Sequence, residues 1–332
     1  MKGILVKSEA TNMVETAANV QLNQARTSEQ GWTKIIAPAK VNLFLGIGDK
    51  RSDGYHEALN IIHALTLHDL LYMKMRDDQA GSGLSLTLTE SYKNGTSPLG
   101  ISPEENIVYK VIYALAEAVG FDRDVHMDVH IEKSIPAQGG LGGGSSDAAA
   151  ALLGAAELWG LSSDADEIFA VARTLGADVS FFLHGGCACF DGAGEHFQRN
   201  LVPLSEPIVL VRPDKGVLTC EAYQRFDTLE SPIDEEAKKA ALVAKEASEV
   251  ILNNNLAPAA ESLLPELREV REWLQGQKGV KQVLLCGSGS TTFAICDNVD
   301  SGYKISAAAQ LRGWWSRTSS FSPVKAQVIP QA

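Results

Sequence analysis

The residues best suited to chemistry form a glycine-rich loop, PAQGGLGGGSSD, at residues 136–147. Five of the six residues from 139 to 144 are glycines. Because glycine has no Cβ, such a loop lets backbone N–H groups turn inward and approach an anion closely. Ser145, Ser146 and Asp147 follow as good N-cap residues, so we expect a helix to begin there with its positive end facing the loop. The loop therefore predicts a site for phosphate groups, such as a nucleotide triphosphate.

The loop matches neither the Walker A spacing nor Gly-x-Gly-x-x-Gly, so two common nucleotide-binding folds lose support. A flexible Gly/Ser linker is the alternative. A linker is not expected between a strongly alternating strand and an Ala-rich helix. The hydroxyl of Ser145 or Ser146 could ligate Mg²⁺ or a phosphate oxygen, and we expect no dedicated protein cage for the metal.

Strands and helices must hold this loop in place. Period-two alternation predicts strands at residues 35–47, 84–88 and 125–133, and the first carries Lys40 and Asn42 on its second face. Helices are predicted at residues 107–119, with Asn106 as N-cap and Gly120 at the end, and at 146–159, 166–175, 234–252 and 266–275. Short extended segments are expected at residues 188–190, 209–211 and 283–285.

Mixed order of strands and helices favours an α+β fold. Three prolines between residues 203 and 213 mark a domain boundary. We expect a mobile N-terminal extension at residues 1–33, a first domain with the phosphate loop at 34–203 and a second domain at 204–332.

Composition excludes several classes of protein. The 332 residues include 41 acids and 29 bases, a formal net charge of -12 that disfavours nucleic acid as a partner. No apolar run approaches the roughly 18 residues needed to cross a membrane, and residues 1–33 lack the long apolar stretch of a secretory signal. Five cysteines, an odd number, suit a reducing cytoplasm better than a disulfide framework.

Two pairs of potential metal ligands have simpler explanations. Cys187 and Cys189 could share one face of a strand, but no second pair follows at zinc-site spacing. His126 and His130 point to one face of a strand, where a solvated surface accounts for them.

Three separated motifs resemble those of the GHMP kinases. They are APAKVN at residues 37–42, the loop at 139–146, and CGSGS at 286–290. The resemblance implies two α+β domains, an N-terminal one like ribosomal protein S5 domain 2 and a C-terminal ferredoxin-like one, with the active site in the cleft between them. Within that family, RSDGYH at 51–56 and LGADV at 175–179 resemble the diphosphocytidyl-methylerythritol kinases. Ser180 stands where those enzymes usually have proline.

The resemblance implies ATP-dependent, Mg²⁺-dependent phosphorylation of the 2-hydroxyl of a cytidine diphosphate-linked methylerythritol, a step of non-mevalonate isoprenoid synthesis, by a monomer or weak homodimer. Asp178 would accept the hydroxyl proton, and Lys40 beside it would keep it ionised. Phosphoryl transfer needs such alignment and charge neutralisation more than covalent chemistry. A structural ion pair without catalysis is the alternative for Lys40 and Asp178.

The same resemblance assigns binding residues. ATP would contact Lys133, Pro136, Gly139, Gly140, Leu141, Gly142, Gly143, Gly144, Ser145, Ser146 and Asn106. The substrate would contact Asn42, Tyr55, His56, Asp178, Tyr223, Gly287, Ser288 and Gly289. Tyr55 and Tyr223 would stack on the two faces of cytosine, and His56 would hydrogen-bond its polar edge.

Other functions stay open from sequence. They are a homoserine, mevalonate or sugar kinase of the same fold, a diphosphomevalonate decarboxylase, and a nucleotide-binding module without catalysis.

Overall fold

The computed structural model describes residues 31–77, 83–93, 95–98 and 100–330. The predicted mobile extension at residues 1–33 therefore lies almost wholly outside the described residues. Those that are described fold into two β-sheets with helices packed on them, which confirms the α+β class.

The described part of the chain contains twelve strands in two sheets. In chain order they are β1 Thr33–Lys50, β2 His56–Asp77, β3 Leu84–Tyr92, β4 Val125–Lys133, β5 Cys187–Asp191, β6 His196–Leu201, β7 Pro207–Arg212, β8 Asn253–Asn254, β9 Val280–Leu285, β10 Thr292–Cys296, β11 Trp315–Ser320 and β12 Gln327–Ile329. Eight form a mixed sheet with the central order β12-β1-β2-β4-β3, where β5 and β6 continue from β2 and β8 lies beside β1. The other four form an antiparallel sheet.

The helices of the described residues pack on these sheets. They are α1 Ile107–Ala118, α2 Gly143–Trp159, α3 Asp166–Leu175, α4 Ala177–His184, α5 Thr219–Phe226, α6 Glu235–Val243, α7 Ala257–Leu263, α8 Glu266–Gln275 and α9 Val299–Leu311, with 3₁₀ turns at Pro103–Glu105 and Ala247–Glu249. Helices α1 to α4 share one large apolar core with the larger sheet. None of these helices combines the length and apolar character that a membrane crossing requires.

The smaller sheet has the ferredoxin-like arrangement that the resemblance implied. Its strands lie in the order β11-β7-β10-β9, with helices between β7 and β9 and α9 between β10 and β11. After β11 the chain returns to the larger sheet, where β12 pairs with β1. The division of domains at residues 203 and 204 stays a prediction.

Strand β1 carries two of the polar residues predicted to act in the site, Lys40 and Asn42. Its pairing with β2 shifts register between Pro38 and Lys40 and again between Asn42 and Phe44. Such irregularities re-aim side chains relative to a regular ladder. Lys40 and Asn42 are buried, at 4% and 2% exposure, rather than facing solvent.

Helix α2 lies unusually close to the sheet. A Cβ at Gly154 would stand 2.4 Å from Met73 Sδ and 2.9 Å from Ile35 Cδ1. Alanines fill most neighbouring positions of α2 and are buried. The small residues therefore set the depth at which α2, and the loop before it, meet the sheet.

Most predicted elements are confirmed, with shifted ends. Strands are present over residues 35–47, 84–88 and 125–133, and helices over 166–175 and 266–275. The predicted helix at 107–119 ends at Ala118, and its N-cap is Asn106, whose side chain accepts a hydrogen bond from Val108 N.

Two helix predictions are wrong in extent. Helix α2 begins at Gly143, not at 146, because Gly142 has φ 72° and itself ends the loop. Ser145 and Ser146 therefore lie in the first turn and are not caps. The predicted helix at 234–252 stops at Val243, where the chain turns so that Ala247 N can bond to Val202 O.

Buried His63 ties the larger sheet to the segment that leads into the smaller one. Leu204 N donates to Nε2 at 2.8 Å, so the ring proton is on Nδ1, which bonds to Ala64 O at 2.8 Å. Burial lowers the pKa of His63 to about 4, against the opposing effects of Ala64 O and Glu206. The ring is therefore neutral in the folded protein near pH 7.

We expect His63 to make folding pH-dependent. Its folded pKa lies below the ordinary value of 6.5, so its contribution is complete above pH 6.5 and is lost as pH falls towards 4, by roughly 3 kcal/mol in total. Urea unfolding from pH 7.5 to 4.5 measures the slope. His63→Gln offers the same donor and acceptor without titrating, so its slope should be smaller. Parallel curves for the two proteins would contradict this role.

Candidate active site

A cavity of about 570 Å³ lies between the two sheets, over the glycine-rich loop. Most of the predicted site residues line it. They are Lys40, Asn42, Asn106, Lys133, Pro136, Gly139, Gly140, Leu141, Gly142, Gly143, Gly144, Ser145, Asp178, Tyr223, Gly287 and Ser288. Motifs separated by more than 200 residues in sequence thus meet at one place.

Four predicted residues lie outside the cavity wall. Ser146 is fully buried and its Oγ has no hydrogen-bond partner, whereas Ser145 faces the cavity. Gly289 lies against Leu267 and Leu285. Tyr55 is 68% exposed, and His56 is buried, with its ring centroid 5.5 Å from that of Tyr223. Of the two serines, Ser145 is therefore the one that a ligand in the cavity can reach.

The charged pair predicted for chemistry is formed. Lys40 Nζ lies 3.3 Å from Asp178 Oδ2 and 3.0 Å from Asn42 Oδ1. Asn42 in turn donates to Asn60 Oδ1 at 2.9 Å, which fixes its amide so that the oxygen faces the ammonium. The Lys40 side chain is 5% exposed and that of Asp178 31%, so the ammonium is buried while the carboxylate opens to the cavity.

Helix α4 places Asp178 in its first turn, two residues after the N-cap Gly176. The positive end of a helix stabilises a carboxylate there. Tyr223 stands nearby: burial, with the charge of Asp178, raises the pKa of its hydroxyl to about 12. Tyr223 therefore presents a neutral ring and a hydroxyl donor near neutral pH.

The glycine-rich loop is fixed by backbone hydrogen bonds on two sides. Lys40 N donates to Leu141 O at 3.0 Å, and on the other side Thr291 N donates to Gly139 O at 3.1 Å. Gly140 has φ 73°, and a Cβ there would stand 2.1 Å from Cys286 O. Only glycine permits this contact between the loop and the turn at 286–291. The loop is therefore set in position before any ligand enters.

The first turn of α2 supplies anion donors. Ser146 N bonds to Gly142 O and begins the helical ladder. The N–H groups of residues 143–145 precede it and so have no partner within the helix. These groups and the helix dipole point at the cavity and suit phosphate oxygens.

Lys133 lies in a buried triad that the sequence analysis missed. Its Nζ is 2.5 Å from Asp69 Oδ2 and 2.5 Å from Asp147 Oδ2. Asp69 also accepts hydrogen bonds from Ser134 N and Ile135 N, at 2.5 and 2.8 Å. Burial opposes the charge of Lys133, but the two carboxylates outweigh it and raise its pKa, while burial raises the pKa of Asp147. The triad anchors the strand end that leads into the loop.

At the other end of the cavity, Asn106 is already engaged. Its Nδ2 donates to Glu90 Oε1 at 2.9 Å, in addition to its N-cap bond. Glu90 also accepts from the Tyr92 hydroxyl, and both residues line the cavity. Burial, with Glu90, raises the pKa of Tyr92. Glu90 and Tyr92 belong to no motif, and the alternation of their strand is the one signal they carry in the sequence.

His56 and Tyr223 belong to an aromatic group at the edge of the cavity. Their ring centroids are 5.5 Å apart, and Phe226 meets the His56 ring edge-on at 5.9 Å. His56 Nε2 lies 2.7 Å from Asp227 Oδ1, and Lys50 Nζ lies 2.5 Å from Asp227 Oδ2. The hydrogen bond from Lys50, with that from His56, lowers the pKa of Asp227, which therefore stays ionised near neutral pH.

The histidine and cysteine pairs have structural partners. His126 and His130 bond through both ring nitrogens to the hydroxyls of Ser85, Thr87, Thr89 and Ser91 on β3. The prediction of a solvated surface is wrong for His130, which is 2% exposed. Cys187 and Cys189 lie in β5, where burial raises the pKa of each thiol. The described ranges bring no three His, Cys, Asp or Glu side chains together in a way that could hold a metal ion.

Comparisons with known proteins agree on one family. A family model for the N-terminal domain of GHMP kinases matches residues 106–186, and one for the C-terminal domain matches 237–313. The 4-diphosphocytidyl-2-C-methyl-D-erythritol kinase of Desulfitobacterium hafniense is 36% identical over 285 residues, covering 85% of this chain and 93% of that protein. The enzyme of the same name from Pelotomaculum thermopropionicum is 34% identical over 82% of this chain and 92% of its own length.

Solved structures give the same result. A crystal structure of 4-(cytidine 5'-diphospho)-2C-methyl-D-erythritol kinase is 32% identical, with a TM-score of 0.67 over 87% of this chain and 99% of that one. A homoserine kinase from Cytophaga hutchinsonii also has a TM-score of 0.67, over 91% of this chain and 98% of its own, but at 19% identity it shares only the fold.

The buried triad yields a stability prediction. Asp69→Asn should destabilise the protein by roughly 3–5 kcal/mol, because it removes one partner of a buried ion cluster and leaves the charge of Lys133 less compensated. Urea unfolding measures the difference. Asp77→Asn, on the same strand, is a matched control: its carboxylate is exposed and 3.7 Å from Arg123, so the change should stay within about 0.5 kcal/mol. Equal effects of the two substitutions would contradict the role given to the triad.

Proposed function

The chain belongs to the GHMP kinases, among the 4-diphosphocytidyl-2-C-methyl-D-erythritol kinases, and from that membership we propose that it transfers the γ-phosphoryl group of ATP to the 2-hydroxyl of 4-diphosphocytidyl-2-C-methyl-D-erythritol. One observation carries the proposal: the Lys40–Asp178 pair opens into the same cavity as the glycine-rich loop. Phosphate donors and a carboxylate base therefore face one volume.

At the donor end, the loop and the first turn of α2 bind the phosphates through backbone N–H groups. The contact between Gly140 and the 286–291 turn holds these N–H groups in a fixed direction. Because they need not reorganise during the reaction, such dipoles lower the barrier to phosphoryl transfer. Lys133 borders the same space, where its ammonium remains charged beside two carboxylates.

The Ser145 hydroxyl is suited to the Mg²⁺ that accompanies the nucleotide, because it faces the cavity at the helix start and Mg²⁺ accepts hydroxyl and phosphate oxygens together with water. When bound, the ion neutralises charge on the phosphates. Ser146, fully buried beneath the same turn, is less suited.

At the acceptor end, Asp178 accepts the proton of the substrate hydroxyl. At the same time the hydroxyl oxygen forms a bond to the γ-phosphorus of ATP, and the bond between the γ-phosphorus and the bridging oxygen breaks to release ADP. Lys40 stays buried beside Asp178, with its Nζ 3.3 Å from Asp178 Oδ2. Asn42 and Asn60 hold the ammonium in place. Proton and phosphoryl group thus move within one small volume.

The aromatic group at the cavity edge supports a nucleobase-linked substrate. Tyr223 lines the cavity with its aromatic ring, the His56 ring packs against it, and Phe226 in turn meets the His56 ring edge-on. A small alcohol such as homoserine, mevalonate or a sugar would leave this surface unused. The Lys40–Asp178 pair argues against a binding module without catalysis. The stacking role of the exposed Tyr55 remains part of the proposal.

The cellular setting follows from the same family. We place the enzyme in the cytoplasm, where its free thiols remain reduced; all five cysteines are unpaired in the described residues. The expected partners stay ATP and one small substrate, with no nucleic acid, and the expected assembly is a monomer or weak homodimer.

A substrate panel tests the proposed activity. Purified protein with ATP and Mg²⁺ should form ADP with 4-diphosphocytidyl-2-C-methyl-D-erythritol, and at least about 100-fold more slowly with homoserine, mevalonate or galactose, because these leave the polar and aromatic groups of the slot unpaired. A coupled ADP assay measures the rates. ADP formation at equal rates with a small alcohol, or carbon dioxide release from diphosphomevalonate, would reassign the reaction.

Asp178→Asn should lower kcat by about 10²–10⁴-fold, because a positioned base contributes that much when the proton moves. The dissociation constant for ATP should change less than about threefold, since the nucleotide binds elsewhere in the cavity. Asp166→Asn is a matched control, because Asp166 is likewise in the first turn of a helix but is exposed and away from the cavity. Near-normal turnover of Asp178→Asn would remove this residue as the base.

A further inference from the structure

The turn between β5 and β6, residues 192–195, reaches the cavity that holds Asp178. Two residues of the turn, Ala193 and Gly194, line that cavity together with Ala177 and Asp178 at the start of α4. The turn belongs to none of the sequence motifs, and none of the predicted site residues lies in it. It is nevertheless part of the wall at the acceptor end.

Gly194 is in direct contact with the residue that precedes the proposed base. Its φ is 102°, and a Cβ there would stand 3.0 Å from Ala177 Cβ. A larger residue at this position would be strained and would push the 192–195 turn away from α4. Ala177 directly precedes Asp178 in the first turn of α4. The contact therefore brings the turn close to the carboxylate.

Hydrogen bonds hold the 192–195 turn in this position before any substrate binds. Ala193 N donates to Glu195 Oε2 at 2.5 Å, and Gly194 N donates to Asp191 O at 3.0 Å. The N–H groups of Ala193 and Gly194 are thus used within the turn. Glu195 is the one of these partners that acts through its side chain, so substitutions can test its role.

Asp178 therefore has two kinds of neighbour. Lys40 places a charge beside it, with Nζ 3.3 Å from Asp178 Oδ2. The other neighbours, Ala177, Ala193 and Gly194, bring only methyl groups or no side chain to the cavity wall. An acceptor carbon next to Asp178 is consequently bordered by a charged group and by an apolar surface.

The reacting carbon of the proposed substrate has the same two kinds of substituent. In 4-diphosphocytidyl-2-C-methyl-D-erythritol, the carbon that bears the 2-hydroxyl also bears a methyl group. A hydroxyl that gives its proton to Asp178 lies within hydrogen-bond reach of the carboxylate, about 2.6–3.2 Å. Because the methyl group is two bonds from the hydroxyl oxygen, it lies within roughly 6 Å of the same carboxylate. Burial of that methyl group against the two alanines is favourable.

We propose that Ala177 and Ala193 recognise the methyl group of the acceptor carbon, and that Glu195 is the positioning residue that holds the 192–195 turn for this contact. The site then selects an acceptor carbon that carries a methyl group over one that carries hydrogen. The inference rests on the proposed function, because it concerns the acceptor of that reaction. The contact also limits rotation of the acceptor carbon and so keeps its hydroxyl directed at Asp178.

The test compares two substrates that differ in the methyl group alone, 4-diphosphocytidyl-2-C-methyl-D-erythritol and 4-diphosphocytidyl-D-erythritol. Wild-type protein should prefer the methylated substrate at least tenfold in kcat/KM, since one such group in an apolar pocket is worth about 10–200-fold. Ala193→Val fills the space of the methyl group and should lower this preference at least tenfold. Ala137→Val adds the same volume to the cavity at the phosphate loop and should leave the preference within twofold.

Two substitutions of Glu195 separate positioning from general damage. Glu195→Ala removes the acceptor of Ala193 N and should lower the preference at least threefold, with KM for ATP within twofold. Glu195→Gln keeps a side-chain oxygen for that bond and should retain the wild-type preference, although it loses the charge that lies 3.6 Å from Arg51. Equal losses of preference in the two variants would overturn the positioning role of Glu195.

The remaining outcomes distinguish the inference from the proposed function. An active wild-type protein that converts both substrates with equal kcat/KM would overturn the inference. Equal effects of Ala193→Val and Ala137→Val on the preference would do the same. A wild-type protein inactive with both substrates would instead contradict the proposed function.

A measurement on the intact protein covers the case in which a variant fails to fold. In a crystal structure of the wild-type protein with the methylated substrate and a non-hydrolysable ATP analogue, the substrate methyl carbon should lie within about 4.5 Å of Ala177 Cβ or Ala193 Cβ. A methyl group directed to another part of the cavity would overturn the inference whatever the variants do.

Discussion

The site depends on keeping one ammonium buried. Lys40 is almost without solvent contact, and a buried charge is costly unless it is paired and hydrogen-bonded. Its partners come from three parts of the fold: Asn42 from the same irregular strand, Asn60 behind it from β2, and Asp178 from the start of α4. Losing any one of these partners would leave the buried ammonium poorly compensated. The need to pair Lys40 therefore also positions Asp178, the carboxylate proposed as the base.

The glycine-rich loop satisfies a second requirement: the two sheets must lie close enough together to form one site. At Gly140 the backbones of the loop and of the 286–291 turn are in contact, and hydrogen bonds from Lys40 N and Thr291 N hold the loop between them. No side chain could be inserted there without separating the two sheets. The glycines therefore serve the packing of the fold as much as the binding of an anion, and the rigidity gained is the preorganisation that phosphoryl transfer requires.

The sequence predicted those elements and residues that a local pattern or a motif specifies. The alternation of apolar and polar residues predicted β1, β3 and β4, and the Asn106 cap predicted the start of α1. The motifs predicted most of the residues that line the cavity. It did not give β2, whose 22 residues are interrupted by polar side chains such as Asp69 and His63 that are satisfied only through tertiary contacts. For the same reason it missed Asp69, Asp147, Glu90 and Asp227, which are partners of recognised residues but have no motif of their own. It also placed the start of α2 three residues late, because left-handed Gly142, not a serine cap, ends the loop.

The charges of the two lysines bear on how an acidic protein could bind a triphosphate. Lys133 faces two carboxylates and Lys40 faces one, so neither cluster offers net positive charge to the cavity. The chain as a whole is also negative, with a formal charge of -12. Attraction for phosphate must then come from oriented backbone dipoles in the loop and at the start of α2, and from the cation that travels with the nucleotide. Such an arrangement would neutralise the phosphates locally, while the paired lysines hold Asp178 and the strand end before the loop in position.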